Sequence, residues 1–316
     1  MPILTPAATA FVFPGQGSQT VGMGRNLAQA SAAARQVFDE ADAALGFSLA
    51  QLCWEGPDAD LNATINTQPA LLTCSIAALR AVQEKLGAFQ PAYYAGHSVG
   101  EVTALVAAGS LAFADGVRLV RARGEAMAAA GRRAPGAMAA ILNLDAPALA
   151  EICAEASAQS GGVVQVANDN CPGQVVISGE GPALEKAMDL AKARGAKRAL
   201  KLAVSVAAHS PLMQSGVAEY AAAVNALPFQ PPLAPVISNL TATPLPDVAA
   251  IRAELPAQLT GPVRWTESIR YLVAHGVTLF IELGSKDVLT GLLKRIDGSV
   301  AGSAVGTPEQ VAGLES

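Results

Sequence analysis

Strand-like and helix-like segments alternate along most of the 316-residue chain, and this alternation limits the possible folds more than any other feature. Parallel strands need long crossover connections, so alternating strands and helices predict an α/β fold with a parallel sheet. The predicted strands lie at residues 9–13, 93–95, 236–237 and 278–282, and the predicted helices at 25–45, 69–86, 99–108, 115–130, 266–274 and 288–295.

Residues 133–204 follow a different order, which is strand, helix, two strands, helix and strand. This order is typical of a ferredoxin-like domain. We therefore predict a small ferredoxin-like domain at 133–204, inserted into a larger α/β domain formed by 1–132 and 205–316, with a binding cleft between the two. The predicted strands of the insert are 137–142, 163–166, 174–178 and 199–204, and its helices are 146–158 and 183–194.

Residues 96–100 read Gly-His-Ser-Val-Gly, which matches the nucleophile motif G-x-S-x-G. The motif requires a strand before it and a helix after it, and both are predicted here. Ser98 would then lie at the tip of a tight turn, with the backbone N–H of Val99 available to a developing oxyanion. The alternative is a serine that merely caps a helix after a glycine turn. The context favours Ser98 as the nucleophile of an acyl-transfer enzyme.

A serine nucleophile needs a base, and the chain has three histidines. His97 adjoins Ser98 on the turn and should diverge from it, while His275 precedes a glycine at a helix end, where histidines often cap the helix. His209 lies in a loop that leaves the insert and can reach the cleft, so we predict that it is the base. Asp169 is a weaker candidate for a third catalytic residue than a backbone carbonyl that orients His209.

Arg123 lies in the middle of the apolar face of the predicted helix 115–130, whereas Arg118 and Arg121 fall on the opposite, polar face. A buried guanidinium stays charged and needs an anionic partner. That partner is either an internal carboxylate or the carboxylate of a substrate, to which an arginine can bind in bidentate fashion. In the second case the acyl group carries its own carboxylate, and malonyl is the simplest such group.

Composition and charge exclude several classes of protein. The net charge of -5 argues against wrapping nucleic acid, and no apolar run reaches the roughly 18 residues of a membrane span. The N-terminus lacks the basic region of a secretory signal, and the four cysteines show no metal-binding spacing, so we expect free thiols in a cytoplasmic protein. A nucleotide-binding G-x-G-x-x-G loop would need glycine where Thr20 stands.

Six motifs together resemble the malonyl-CoA:acyl-carrier-protein transacylases. The resemblance runs from about Phe11 to Arg295 in the order and spacing of that family. The motifs are Phe-Pro-Gly-Gln-Gly-Ser-Gln at 13–19, Gly-His-Ser-Val-Gly-Glu at 96–101, Arg-Ala-Arg-Gly at 121–124, Asn-Cys-Pro-Gly-Gln at 170–174, His-Ser-Pro-Leu-Met at 209–213, and Gln258 ahead of Pro-Val-Arg-Trp at 262–265.

The resemblance implies a ping-pong transfer of malonyl from coenzyme A to Ser98 and then to the phosphopantetheine thiol of an acyl carrier protein. It further implies a hydrolase-like large domain with a ferredoxin-like insert, no metal or redox cofactor, and a monomer. The roles it implies are carboxylate binding by Arg123, general acid–base catalysis by His209, oxyanion binding by Gln16 and the N–H of Val99, orientation of His209 by the carbonyl of Gln258, and substrate binding by Asn170.

The sequence departs from the family pattern at two places. Residues 284–287 read Gly-Ser-Lys-Asp, which shifts the expected basic residue to Lys286, and the alanines before His209 leave room for a branched acyl group such as methylmalonyl. An acyl hydrolase of the same fold and a non-catalytic docking module are alternatives, although intact site residues argue against the second. Lys286, Lys294 and Arg264 are candidates for docking the acidic carrier protein, which could serve fatty-acid or polyketide synthesis.

Overall fold

Two β-sheets organise the computed structural model, which describes residues 3–204 and 206–315. The outer limits of the predicted large domain, at residues 1 and 316, and its boundary at residue 205 lie outside the described residues. The strands in the described part of the chain are β1 Thr9–Phe13, β2 Tyr93–Gly96, β3 Ala137–Leu142, β4 Val164–Cys171, β5 Gln174–Gly179, β6 Arg198–Lys201, β7 Val236–Ile237, β8 Leu279–Leu283 and β9 Ala301–Val305.

Helices connect and cover these strands. They are α1 Arg25–Ala30, α2 Ala32–Leu45, α3 Leu49–Glu55, α4 Asp58–Leu61, α5 Thr64–Leu86, α6 Val99–Ala107, α7 Phe113–Arg133, α8 Ala146–Ser160, α9 Gly181–Ala193, α10 Gln214–Asn225, α11 Val248–Ala257, α12 Trp265–Ala274, α13 Val288–Ile296 and α14 Pro308–Ala312, with single turns of 3₁₀ helix at Pro6–Ala8 and Pro211–Met213.

The larger sheet is parallel and has the strand order β7-β2-β1-β8-β9. Its central strand β1 is buried along its whole length because helices cover both faces of the sheet. Phe11 and Phe13 pack with residues of α2, α5, α6 and α7, whereas Ala10 and Val12 pack with residues of α12 and α13. The sheet therefore lies between two helical layers, as an α/β fold requires.

The second sheet is antiparallel, with the order β4-β5-β3-β6, and it comes entirely from the chain between α7 and the turn at Pro211–Met213. One face packs on α8 and α9 around a separate apolar core that includes Ile141 and Ile177. Met138 and Val176, on the other face, join the main core instead. One face of the antiparallel sheet is therefore directed toward the parallel sheet and covers the space between the two.

The structure differs from the sequence-based predictions at several elements. The helix predicted at 25–45 is two helices, because Ser31 adopts an extended conformation and its hydroxyl accepts a hydrogen bond from the N–H of Ala34. The helix predicted from residue 69 begins at Thr64 and includes Pro69. The sequence analysis assigned no strand to β9, whose small residues Ala-Gly-Ser-Ala have low strand propensity and whose place in the sheet comes from pairing with β8.

Candidate active site

Ser98 lies in a tight turn between β2 and α6, with a backbone conformation (φ 55°, ψ -111°) that residues other than glycine rarely adopt. The flanking glycines allow this turn. A β-carbon added at Gly96 would lie 1.9 Å from the carbonyl carbon and oxygen of Gly100, and one added at Gly100 would lie 2.2 Å from the carbonyl oxygen of Phe13. The strained turn is the geometry of a nucleophile elbow, which presents the serine hydroxyl at the tip.

The hydroxyl of Ser98 contacts the imidazole of His209, with 2.8 Å between Oγ and Nε2. On the other side of the ring, Nδ1 lies 2.8 Å from the carbonyl oxygen of Gln258 and 3.1 Å from that of Gly261. Carbonyl oxygens only accept hydrogen bonds, so Nδ1 carries the proton and Nε2 is free to accept from Ser98. This arrangement is that of a general base oriented by the backbone.

Burial, together with the nearby positive charge of Arg123, lowers the pKa of His209 to about 3. The imidazole is therefore neutral at physiological pH, which is the state that accepts a proton from serine. Among the described residues, no carboxylate contacts this ring. Asp169 instead accepts a hydrogen bond from the hydroxyl of Thr266 at 2.7 Å, so it takes no part in a triad.

The other two histidines have other partners, as the sequence predicts for them. His275 follows the end of α12, where its Nδ1 lies 2.7 Å from the carbonyl oxygen of Tyr271. His97 lines the cavity beside Ser98 but pairs with a different residue, since its Nε2 lies 2.8 Å from the Oδ1 atom of Asn170. Asn170 is thus placed beside the site, with its side-chain oxygen already engaged.

Arg123 is 2% exposed and projects from α7 toward Ser98. Its Nη2 atom donates to the hydroxyl oxygen of Ser98 at 3.1 Å and to Oε1 of Gln258 at 2.7 Å, while Nη1 donates to Oε1 of Gln68 at 2.9 Å. Arg118 and Arg121, on the outer face, pair with Asp115 and Glu125. Within the described part of the chain, no carboxylate forms an ion pair with Arg123, so the internal salt bridge left open by the sequence is not what the structure contains.

Two backbone N–H groups near Ser98 suit an oxyanion. Val99 is the first residue of α6, so its N–H has no partner within the helix. Gln16 is exposed in the loop after β1 and lines the same cavity, and its side-chain oxygen accepts a hydrogen bond from the hydroxyl of Thr64 at 3.1 Å. In the described residues neither N–H donates to a protein acceptor, which leaves both available to a ligand.

The sequence analysis missed a buried asparagine that holds the serine turn in place. Asn239 follows β7; its Oδ1 accepts from the N–H of Ser98 at 2.8 Å, and its Nδ2 donates to the carbonyl oxygen of Gly96 at 2.7 Å. These two bonds satisfy the N–H of the strained residue and a carbonyl group of the strand that leads into it. Nothing in the local sequence around Asn239 indicates this contact, because it spans 141 positions of the chain.

Ser98, His209, Arg123 and Gln16 line a cavity of about 250 Å³ between the two sheets. Met138 and Val176 contribute the wall from the antiparallel sheet, Leu202 lines the cavity directly after β6, and Met127 contributes to the wall from α7. A larger cavity of about 800 Å³ lies beside Lys286, but it contains none of the predicted catalytic residues. The smaller cavity is therefore the candidate active site.

The three basic residues suggested for carrier-protein docking lie at the surface or near it. Lys286 donates to the carbonyl oxygen of Gly17 at 3.3 Å, and Arg264 forms an ion pair with Glu267. Lys294 is exposed on α13. Across residues 3–204 and 206–315, no helix combines the length and the apolar character needed to cross a membrane.

The chain is similar to known acyltransferases over nearly its full length. Residues 10–308 match the acyl transferase domain family. A malonyl CoA-acyl carrier protein transacylase of Bacillus subtilis (strain 168) is 47% identical over 302 residues, which cover 96% of this chain and 94% of that protein.

Solved structures show the same similarity. An acyl carrier protein S-malonyltransferase from Vibrio cholerae O1 biovar eltor is 46% identical, with a TM-score of 0.92, and the match covers 96% of this chain and 99% of that one. A malonyl-transacylase in complex with a type II PKS acyl-carrier protein is 43% identical, with a TM-score of 0.93 and coverage of 96% and 97%.

Proposed function

The chain belongs to the acyl transferase family, and on that premise we propose that it transfers a malonyl group from coenzyme A to the phosphopantetheine thiol of an acyl carrier protein. One observation carries the proposal. A buried arginine, Arg123, lies 3.1 Å from the nucleophilic oxygen of Ser98, and its other hydrogen-bond partners in the protein are neutral amides. A site with this cation fits an acyl group that brings its own carboxylate.

The first half of the reaction loads the serine. His209 accepts the hydroxyl proton at Nε2 while Oγ of Ser98 attacks the thioester carbon of malonyl-CoA. The N–H groups of Gln16 and Val99 stabilise the oxyanion, an effect typically worth about 10²–10³ in rate for each donor. The carbon–sulfur bond then breaks, an ester forms on Ser98, and coenzyme A leaves as a thiol with the proton from His209.

The second half reverses these steps with a new thiol. His209 accepts the proton of the phosphopantetheine thiol, and the sulfur attacks the malonyl ester on Ser98. The ester bond breaks and the serine recovers its proton from His209. Side chains of the site supply the nucleophile and the base, and its backbone supplies the oxyanion donors, so we propose that no metal or redox cofactor takes part and that the coenzyme A thioester enters as a substrate.

Arg123 supplies the selectivity between acyl groups. We infer that the malonyl carboxylate replaces the neutral amide oxygens of Gln68 and Gln258 on the guanidinium. Acetyl has no carboxylate and gains nothing from this cation. The same cation argues against a hydrolase that acts on neutral acyl groups, because burying a charge is costly and a neutral substrate would not compensate for it.

The size of the acyl pocket bears on whether the site also accepts a branched acyl group such as methylmalonyl. Ala208 lines the cavity directly before His209, and Met127 and Met138 lie around the same space. Alanine leaves more room than a larger side chain would, which favours tolerance of a methyl branch. We propose malonyl as the main substrate and methylmalonyl as a slower one.

The finer architecture is part of the proposal. We propose that the antiparallel sheet with α8 and α9 forms a ferredoxin-like domain at 133–204, and that the parallel sheet with its helices forms a hydrolase-like domain. The strand–helix order and the separate apolar core of the antiparallel sheet support this division. We further propose that the protein works as a monomer in the cytoplasm.

Mass spectrometry of the intact chain tests the proposed function. The purified protein is incubated separately with malonyl-, methylmalonyl- and acetyl-CoA, and the covalent adduct is weighed. We expect a malonyl adduct that is absent in Ser98→Ala, and we expect Arg123→Ala to lose malonyl loading while retaining acetyl loading. Equal loading of acetyl and malonyl in the wild type would contradict the role of Arg123. Free malonate without transfer to a carrier protein would identify a hydrolase.

A further inference from the structure

Glu101 is a fully buried carboxylate one turn beyond Ser98, and no step of the proposed reaction uses it. Its Oε2 atom accepts a hydrogen bond from Nε2 of Gln258. Its Oε1 atom has no donor among the described residues. A buried carboxylate is costly unless it is paired, so its presence directly behind the nucleophile needs an explanation.

The side chain of Gln258 lies between this carboxylate and Arg123. Its Oε1 accepts from Nη2 of Arg123 at 2.7 Å, while its Nε2 donates to Glu101 and to the carbonyl oxygen of Ser98. A guanidinium only donates and a carboxylate only accepts, so the amide can satisfy both neighbours in one orientation alone. Gln258 thus separates the cation from the anion by a single amide group.

Burial and the nearby carboxyl group of Glu254 raise the pKa of Glu101, whereas the hydrogen bond from the amide of Gln258 acts in the opposite direction. Burial lowers the pKa of Arg123, and the nearby carboxyl group of Glu101 acts in the opposite direction. The guanidinium therefore has a buried carboxyl group near it, separated from it by the amide of Gln258.

We propose that Glu101 is a positioning residue that acts as a remote counter-ion for Arg123, with the amide of Gln258 as the spacer. The arrangement keeps a charged guanidinium stable in the interior while its donors face only neutral oxygens. A malonyl carboxylate can displace neutral acceptors, whereas it would have to compete with a carboxylate in direct contact. The inference rests on the proposed function, because it assumes that Arg123 binds the acyl carboxylate.

An exchange of the two side chains tests this arrangement. The double variant Glu101→Gln/Gln258→Glu keeps the total charge, the number of amides and the backbone carbonyl that orients His209, but it places the carboxylate against Arg123. We expect the ratio of malonyl to acetyl loading on Ser98 to fall at least tenfold relative to the wild type. The single variant Glu101→Gln should keep that ratio within about threefold, since its amide oxygen can still accept from Gln258, and should have a lower melting temperature because Arg123 loses its counter-charge.

Two results would overturn the inference. One is a double variant that prefers malonyl as strongly as the wild type. The other is a single variant that loses the preference while the exchange restores it, because that would mean that Glu101 only completes a hydrogen bond. If the double variant does not fold, Gln68→Glu places a carboxylate on the other side of Arg123 and should lower the same ratio tenfold. Absence of malonyl loading in the wild type would instead refute the proposed function itself.

Discussion

His209 and Arg123 lie in one buried space, and this proximity fixes the protonation of the base. Burial and the positive charge of Arg123 both favour the neutral imidazole. The Nδ1 proton is held by two backbone carbonyls, so the neutral ring has its free nitrogen toward Ser98. The imidazole therefore stays neutral over the pH range in which a histidine in water titrates, as its proposed role as base requires.

The lowered pKa of His209 predicts how loading and stability depend on pH. The folded protein binds a proton on His209 only near pH 3, whereas the unfolded chain does so near pH 6.5. Loading by folded protein should therefore stay constant from pH 8 to about pH 5. The free energy of unfolding should fall by about 1.4 kcal/mol per pH unit below pH 6.5 from this group, since the unfolded state binds the extra proton.

Rapid-quench loading rates and denaturant unfolding at the same pH values measure both effects. The variant His209→Gln should lack this contribution to the pH dependence of stability. A loading rate that halves near pH 6.5 while the protein remains folded would show that His209 titrates normally, contrary to the geometry of the site.

At the scale of elements, the active site depends on the close approach of β1, β2 and α6. The first turn of α6 packs directly on the end of β1 because Gly100 has no side chain, and β2 reaches the same turn because Gly96 has none. These two glycines bring the helix N-terminus, and with it the N–H of Val99, to the tip of the strand where Ser98 lies. The geometry of the turn at Ser98 therefore depends on the packing of β1, β2 and α6 as well as on the five residues of the motif.

Replacing either glycine by alanine should separate these elements. We expect Gly96→Ala and Gly100→Ala to lower the free energy of unfolding by about 3 kcal/mol or more, and to reduce loading of Ser98, because each β-carbon would overlap backbone atoms. Gly291→Ala is the matched control. It lies in α13 with no atom within 4 Å of the added carbon, so it should stabilise the protein by up to about 1 kcal/mol.

Denaturant midpoints of the three variants, together with adduct formation, provide the measurement. A Gly100→Ala protein with wild-type stability and loading would mean that α6 does not need its close contact with β1.

At the scale of the whole molecule, the cavity exists only because the two sheets face each other. Ser98 and Arg123 come from the segments before the antiparallel sheet, His209 and Gln258 come from those after it, and the sheet itself covers them. Backbone hydrogen bonds between Val263 and the residues Ala167 and Asp169 join β4 to the chain before α12. The antiparallel sheet is therefore held over the site by hydrogen bonds along β4 as well as by the two chain segments that lead into and out of it.

Arg295 provides a second attachment, from α13 to the turn between β4 and β5. It donates to the carbonyl oxygen of Pro172 at 2.8 Å and to Oε1 of Gln174 at 3.0 Å, and Gln174 lines the cavity. We expect Arg295→Ala to raise the KM for malonyl-CoA about threefold and to increase hydrogen exchange at residues 171–176, because the wall would lose two of its contacts. The neighbouring exposed residue gives the control Lys294→Ala, which should change neither quantity. If hydrogen exchange at residues 171–176 is unchanged in Arg295→Ala, the pairing of β4 with Val263 is sufficient to hold this wall of the cavity.

The sequence alone determined the features that depend on neighbouring residues. The strand β1, the turn at Ser98 and the position of Arg123 on the apolar face of α7 all follow from patterns within about twenty residues, since local sterics and helical periodicity set them. The motif itself predicted the oxyanion role of the Val99 N–H, and the resemblance to a known family added roles for Gln16, Asn170 and Gln258. The structure places these residues around Ser98, and their roles in the reaction stay predictions.

Only the tertiary structure decided which distant groups meet. Three contacts could not be predicted from the sequence, namely those of Asn239 with Ser98, Glu101 with Gln258, and Gln68 with Arg123. Each joins positions between 55 and 157 residues apart. The strand β9 was likewise set by its pairing with β8, against the local pattern. Local propensity determines most helices and strands, but the partner of a buried polar group depends on how those elements pack. The packing is also the reason that the hydrogen-bond partners of Arg123 are neutral.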